Sequence, residues 1–166
     1  MLLDCEWGNG PKFIGREAEC ADDLSRIWRC SIERTASDDK ACRYDAFATR
    51  DGRIVSVIEI KSRDMSTDDL LKYGSLLISE SKIVAGSEQS RIHGVPFIVV
   101  AGLDDGAIVY WTMTTAEGRR TFPYQIEWRK TQATSNGGSK MDWVALLPCG
   151  RMKYAREANS LVPSAG

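Results

Sequence analysis

The chain has 166 residues, of which 43% are hydrophobic and 27% charged, so it has the length and composition of one globular domain that buries a core without disulfides. Its formal net charge of −1 excludes the whole-chain basic excess of a strong non-specific nucleic-acid binder, although carboxylates gathered around a metal would cancel basic residues elsewhere. Five cysteines without a CxxC pair exclude a disulfide framework and a structural zinc site, so we expect reduced, mostly buried thiols. The sequence shows no signal peptide and no apolar run of membrane length, so we expect a cytoplasmic protein with no membrane partner.

The first predicted helix spans residues 15–30, where apolar residues recur at the spacing of one helical face. Glu17 interrupts that apolar stripe. A carboxylate on such a face is costly unless it is paired, hydrogen-bonded or close to a metal. We therefore single out Glu17 as a candidate site residue, with Glu19 as the alternative if the helix is phased differently.

A β-hairpin is predicted after this helix. Residues 43–49 and 53–61 have strand character and are separated by residues 50–52. A three-residue loop of this kind is typically a type I turn closed by a residue in the left-handed region, and Gly52 lies at that position. If the residues that flank the loop pair with each other, counting outward along both strands places Val57 opposite Asp45.

One face of this hairpin would then carry Asp45, Glu59 and Lys61. Alternate residues of a strand point to the same side, and cross-strand partners share a face. A two-residue loop would instead move Asp45 to the opposite face. The sequence thus predicts a cluster of two carboxylates and one lysine, provided that the loop has three residues.

The next segment is predicted to be helical. Ser66 and Asp69 form a helix-start pattern, in which the serine caps the helix and the acid favours its N-terminal dipole. The helix is expected to continue to His93, with a bend or break near Gly86, and to stop at Gly94.

Two further strand pairs complete the chain. Residues 97–103 and 107–113 flank an Asp-Asp-Gly turn, and residues 124–131 and 141–148 flank the turn-rich SNGGS. The order of elements predicts an α+β (mixed α/β) fold in which helices pack on a sheet. We expect a single domain over residues 1–166, with a tail at residues 156–166 that frays.

The chemistry centres on the run VSVIEIK. Glu59 lies within it, and the run is apolar enough to indicate a strand covered on both faces. A weak surface ion pair between Glu59 and Lys61 is the alternative interpretation. Magnesium prefers hard oxygen ligands and typically takes one or two carboxylates plus water and substrate phosphate. Asp45 and Glu59 could hold such an ion, while Lys61 orients or helps to deprotonate an attacking water.

The stretch YDAFATRDGRIVSVIEIKSR resembles the PD-(D/E)XK nuclease superfamily of phage or bacterial type, whose core is an acidic residue on one hairpin strand and (D/E)-x-K on the next. The matching residues are Asp45, then Glu59, Ile60 and Lys61. The resemblance implies that the backbone carbonyl of Ile60 completes the metal shell and that Glu17 approaches the site. It also implies a restriction-endonuclease-like central mixed β-sheet flanked by helices.

The activity implied by the resemblance is that of an endonuclease that hydrolyses DNA phosphodiester bonds through a metal-activated water, leaving a 5′-phosphate and a 3′-hydroxyl. Mg²⁺ is the expected cofactor, with Mn²⁺ as a substitute, and DNA is the expected partner, in the cytoplasm of a phage-infected or bacterial cell. Lys72, after the hairpin, is a candidate nucleic-acid contact, with plain solvation as the alternative. Homo-oligomerisation, endonuclease versus exonuclease action, sequence specificity, RNA as substrate, and duplex, single-stranded or branched substrates all stay open.

Two other functions compete with this one. A catalytically silent nucleic-acid-binding or assembly module would keep the fold without the activity, and a hydrolase of small phosphate esters would use the same carboxylates. The other reactive residue types are interpreted as structural: His93, the only histidine, lies at a predicted helix end, and the cysteines have no activating base beside them. We expect no covalent catalysis.

Overall fold

The computed structural model describes residues 10–34, 46–132 and 139–156. Within these ranges three α-helices and nine strands follow one another, with a 3-10 helix at Cys149–Arg151 between the last two strands. In chain order they are α1 (Gly10–Trp28), β1 (Ser31–Arg34), β2 (Ala46–Arg50), β3 (Arg53–Ser62), α2 (Thr67–Tyr73), β4 (Ser75–Ser79), α3 (Glu80–His93), β5 (Phe97–Gly102), β6 (Ile108–Thr112), β7 (Gln125–Gln132), β8 (Ser139–Pro148) and β9 (Lys153–Tyr154). None of the helices in these ranges is both long and apolar enough to cross a membrane.

Two β-sheets organise these elements. The larger sheet has six strands in the order β1-β2-β3-β5-β6-β9, and its central pair, β3 and β5, is parallel while the other described pairs are antiparallel. The smaller sheet is antiparallel, in the order β4-β8-β7. A parallel pair needs a crossover connection, which α2, β4 and α3 provide. The predicted mixed α+β sheet with flanking helices is therefore confirmed.

Strand β3 is covered on both faces. Ile58 and Ile60 point to one side, where they pack with Leu24 and Trp28 of α1. Val57 points to the other side, into a core shared with α3 and the smaller sheet. Burial of a large apolar side chain contributes about 1.5–3 kcal/mol, so both cores favour an apolar β3.

The loop of the β2–β3 hairpin has two residues, not the three predicted from the sequence. Arg50 pairs with Arg53, and the intervening Asp51 and Gly52 both have positive φ, at 52° and 74°. Two successive residues with positive φ are typical of a type I′ turn, whose twist matches that of the flanking strands. Asp51 tolerates this conformation better than most residues other than glycine.

The register of the hairpin also differs from the prediction. A β-bulge between Ala48 and Thr49 inserts one extra residue on β3, so that Phe47 and not Asp45 lies opposite Val57. A two-residue loop alone would move the odd-numbered residues of β2 to the opposite face, and the bulge returns them to the predicted face. Odd-numbered residues of β2 therefore share a face with Val57, as they do in the predicted register. Asp45 itself lies outside the described residues.

The predicted helix over residues 66–93 is wrong in its middle. Its start is confirmed, because Ser66 caps α2 in a capping box with Asp69. The helix ends at Gly74, which has a φ of 81°, and a strand intervenes before α3. The next helix, α3, runs through Gly86 without a break and ends at Gly94, which has a φ of 65°.

Strand β4 forms because of contacts that are distant in sequence. Leu76 and Ile78 lie opposite Leu147 and Ala145 of β8, and all four are buried in the core shared with α3. Local periodicity contains no information about this partner. The predicted pairing of β7 with β8 is confirmed, but the two strands join β4 in the smaller sheet and do not extend the central one. The end of the predicted fraying tail, residues 157–166, lies outside the described residues.

Gly86 is required for the close approach of α3 to the central sheet. A Cβ atom at this position would lie 2.3 Å from the ring of Phe97, which is fully buried. By contrast, a Cβ atom at the helical Gly15 of α1 meets nothing within 4 Å. The two glycines thus form a matched pair for separating packing from helix propensity.

We expect Gly86→Ala to lower the free energy of unfolding by about 1–2 kcal/mol, because overpacking costs about 1–3 kcal/mol and the gain in helix propensity returns up to about 1 kcal/mol. Gly15→Ala should leave stability unchanged or raise it by up to about 1 kcal/mol. Urea denaturation of the two variants and the wild type measures the difference. Equal stability changes in the two variants would contradict the packing role of Gly86.

Candidate active site

Two charged residues of β3 lie side by side on the face opposite to α1. The Nζ atom of Lys61 is 3.0 Å from Oε1 of Glu59. No part of Glu59 is exposed, and 14% of the Lys61 side chain is. The predicted face of Glu59 and Lys61 is therefore correct, and their pair is not the surface ion pair that we kept as the alternative.

The burial of Glu59 follows from the position of its strand. β3 is hydrogen-bonded on both sides, and Glu59 itself lies in register with Val99 of β5. Removing a carboxylate from water costs several kcal/mol even after the protein relaxes, unless cations and hydrogen bonds compensate. The carboxylate of Glu59 therefore requires nearby positive charge.

Lys82, in the first turn of α3, supplies a second cation. Its Nζ atom is 3.7 Å from the same Oε1 of Glu59, and 29% of its side chain is exposed. Sequence reasoning missed this residue because it placed residue 82 in the interior of a continuous helix. Gly74, a typical helix stop, was the signal that could have indicated a new helix start beyond it.

The end of β3 is tied to the smaller sheet by a buried arginine. Arg63 is 3% exposed, and its guanidinium donates to the carbonyl oxygens of Leu77, at 3.0 Å, and of Ser62, at 3.3 Å. Leu77 lies in β4, directly before α3. This contact holds the end of β3, which carries Lys61, against the strand that leads into Lys82.

Glu17 is buried, as its place on the apolar stripe predicted. It is 8% exposed, and its Oε2 atom lies 3.3 Å from the guanidinium of Arg34 in β1. The neighbouring Arg16 donates to Asp64 and to the carbonyl of Arg63, which places this turn of α1 beside the end of β3. Glu19, in contrast, is exposed. A role for Glu17 at the site stays a prediction.

The remaining predicted site residues are placed as follows. The side chain of Ile60 is buried on the α1 side, so any contribution to a metal falls to its backbone carbonyl. Lys72 is exposed at the end of α2. The adjacent Tyr73 is 66% exposed. Asp45, the residue before β2, lies outside the described residues.

The donor set fits a hard cation in part. Within the described ranges no three His, Cys, Asp or Glu side chains form a group that could hold a metal. Magnesium needs only one or two carboxylates, because water and substrate phosphate complete its shell. Glu59 is such a carboxylate. It directly follows Ile58, which pairs with Ala46, the first residue of β2, and Asp45 directly precedes Ala46 in the sequence.

The cysteines and the histidine offer no alternative nucleophile within the described part of the chain. Burial is the largest effect that raises the pKa of the Cys20 thiol, to about 12, and burial also raises the pKa values of Cys30 and Cys149. These thiols stay protonated at neutral pH. Of the three, Cys20 is fully buried and the other two are partly exposed, so the expectation of mostly buried thiols is only partly correct. His93 ends α3, with its ring against Phe47.

Comparison with known proteins identifies the family of the chain. A family model described as "Phage putative PDDEXK endonuclease" matches residues 14–146, a range that includes most of α1, the β2–β3 hairpin and most of β8. No curated protein and no solved structure matches the chain. Because the matched range covers most of the sequence and contains the Glu59-Ile60-Lys61 element in a mixed sheet, the chain belongs to the phage PD-(D/E)XK endonuclease family.

Proposed function

We propose that this protein is a divalent-metal-dependent endonuclease that hydrolyses phosphodiester bonds of DNA. The observation that carries the proposal is the carboxylate of Glu59, fully buried in the central sheet and flanked by Lys61 at 3.0 Å and Lys82 at 3.7 Å. Enclosed clusters of charged side chains of this kind are concentrated at catalytic sites. Family membership makes phosphodiester hydrolysis the chemistry to test first.

The metal site proposed here consists of Asp45, Glu59 and the backbone carbonyl of Ile60. Mg²⁺ is the proposed ion, with Mn²⁺ as a substitute, because all three donors are oxygens. A bound ion would lower the pKa of a water molecule and neutralise charge on the phosphate. The support for Asp45 is its place in the sequence, one residue before β2, together with the register of β2 against β3.

The two lysines have distinct proposed roles. Lys61 is less exposed and closer to Glu59, so it orients the attacking water and stabilises charge as the water loses its proton. Lys82 is more exposed and lies on another element, so it contacts a non-bridging oxygen of the scissile phosphate. Attack on phosphorus with cleavage of the P–O3′ bond leaves a 5′-phosphate and a 3′-hydroxyl, which takes up a proton.

Contacts away from the reaction centre are proposed for Lys72, whose exposed position suits a phosphate of the DNA backbone. The proposed location of DNA cleavage is the cytoplasm of a phage-infected or bacterial cell.

A catalytically silent nucleic-acid-binding module is the second candidate. One observation favours it: the carboxylate of Glu59 is already balanced by two lysines, so its burial does not by itself require a metal. Such a module would bind DNA without turnover and would take up no metal at this site.

Cleavage of DNA in Mg²⁺ should fall by about 100-fold or more in Glu59→Gln and in Lys61→Ala, because each variant removes a group proposed to act on the reacting atoms. Two exposed residues provide matched controls, since Glu88→Gln and Lys153→Ala make the same chemical changes away from the site. Conversion of supercoiled to nicked and linear plasmid measures the activity.

Cleavage at the wild-type rate in both site variants would rule out this site. Absence of Mg²⁺-dependent and Mn²⁺-dependent cleavage by the wild type on circular, linear and branched DNA would favour the silent module instead.

The role proposed for Glu17 predicts a separate result. Glu17→Gln should lower the single-turnover cleavage rate by about tenfold while DNA affinity in EDTA changes little, because the carboxylate would act on the geometry of the reacting groups. Arg34→Gln is the matched control, since it breaks the same ion pair from the other side. Equal rate losses in the two variants would show that Glu17 only maintains the fold.

A further inference from the structure

The β7–β8 hairpin presents an aromatic pair to solvent. Trp128 and Trp143 are cross-strand partners, with ring centroids 5.1 Å apart and an interplanar angle of 60°. They are 52% and 49% exposed, and Met141, two residues from Trp143 on the same face, is 45% exposed. A cross-strand aromatic pair stabilises a hairpin, but that role does not require half of each ring to face water.

This exposed strip continues a face that is buried elsewhere in the smaller sheet. Ile126 and Ala145 are the next pair on the same side, and Ala145 belongs to the core under the central sheet. Toward the hairpin tip, Lys130 lies opposite Met141 on the same face. We call Trp128, Trp143, Met141 and Lys130 the hairpin strip.

One end of the hairpin strip lies next to the start of α3, which carries Lys82 of the candidate active site. Ser79, the last residue of β4, pairs with Val144, and β8 continues beyond that pair through Trp143. The Ser79 hydroxyl also donates to Asp142, at 3.1 Å. Ser79 directly precedes α3, whose first turn carries Lys82. The hairpin strip therefore projects from the end of the sheet at which Lys82 reaches Glu59.

Charge on the hairpin is complementary to phosphate. Its carboxylates are engaged, since Glu127 pairs with Arg129 at 2.6 Å and Asp142 accepts from Ser79. Lys130 and Lys140 are exposed, and no carboxylate among the described residues pairs with either. In a two-fold contact between copies of this chain, the same patch would face itself, and its described carboxylates, Glu127 and Asp142, are already engaged. Phosphate groups are therefore better partners for Lys130 and Lys140 than a second copy of this chain.

We propose that the hairpin strip binds single-stranded nucleic acid, with unpaired bases stacked on Trp128 and Trp143 and phosphates near Lys130 and Lys140. Aromatic faces stack on bases that are not already stacked within a duplex. The inference deepens the proposed endonuclease function, on which it rests, by assigning a substrate with an unpaired segment beside the scissile bond.

The test compares the affinity of the protein for a labelled single-stranded DNA oligonucleotide and for the corresponding duplex, by fluorescence anisotropy in EDTA. The wild type should bind the single strand more tightly than the duplex. Trp128→Leu and Trp143→Leu, which keep an apolar side chain but remove the aromatic face, should each weaken single-strand binding by about tenfold. Trp128→Phe should retain most of the affinity.

The matched control is Ile92→Ala, because Ile92 is 64% exposed and lies near the other end of α3. This variant should bind the single strand as the wild type does. Thermal unfolding of each variant checks that the hairpin substitutions leave the fold intact.

Equal single-strand affinity of the Trp→Leu variants and the wild type, or tighter wild-type binding of the duplex, would overturn the inference. A dimer in sedimentation experiments that dissociates in Trp143→Leu, with unchanged oligonucleotide binding, would overturn it in favour of self-association. Failure of the proposed function gives a different result: no metal-dependent cleavage by the wild type, whatever the anisotropy shows.

Discussion

The structure depends on one constraint: its central strand must be apolar on both faces and yet carries Glu59 with no exposed surface. Burial of each ion costs several kcal/mol, whereas an ion pair about 4 Å apart gains about 4 kcal/mol at an effective dielectric constant of about 20. Lys61 and Lys82 therefore offset part of the cost of burying the carboxylate. An apolar residue at position 59 would serve stability equally well or better, so the stability of the fold does not explain a carboxylate there.

The other elements follow from this strand. α1 covers one face, while α3 and the smaller sheet cover the other, and the crossover between the parallel strands brings Lys82 back to Glu59. Arg63 fixes the end of β3 to β4 through the carbonyl of Leu77. Because β8 pairs with β4 and then extends past it, the hairpin strip lies at the same end of the molecule. A single crossover thus positions the charges of the candidate site and the exposed aromatic pair.

Local patterns predicted most of the fold but not its long-range pairing. The helix stripe identified Glu17 as a buried carboxylate, and the turn signals located all three hairpins. The face shared by Glu59 and Lys61 was predicted correctly, because residues two apart in a strand point to the same side. Odd-numbered residues of β2 keep the predicted face although the loop length and register were wrong, because the bulge at Ala48 and Thr49 offsets the shorter loop. β4 could not be predicted from local pattern, since that strand forms only against β8, which lies about seventy residues later in the sequence, and Lys82 was missed because the helix stop at Gly74 was not used to divide the predicted helix.

The central claim is that Glu59 is buried in order to hold a divalent metal. Calorimetric titration with Mn²⁺ tests it most directly, on the wild type, Glu59→Gln, Asp45→Asn and the exposed-site control Glu88→Gln. We expect binding by the wild type and the control, weakened by about tenfold or more in the two site variants, because each removes one of the two carboxylates proposed to hold the ion. Equal binding heats in the wild type and Glu59→Gln, or no binding by the wild type, would contradict the claim.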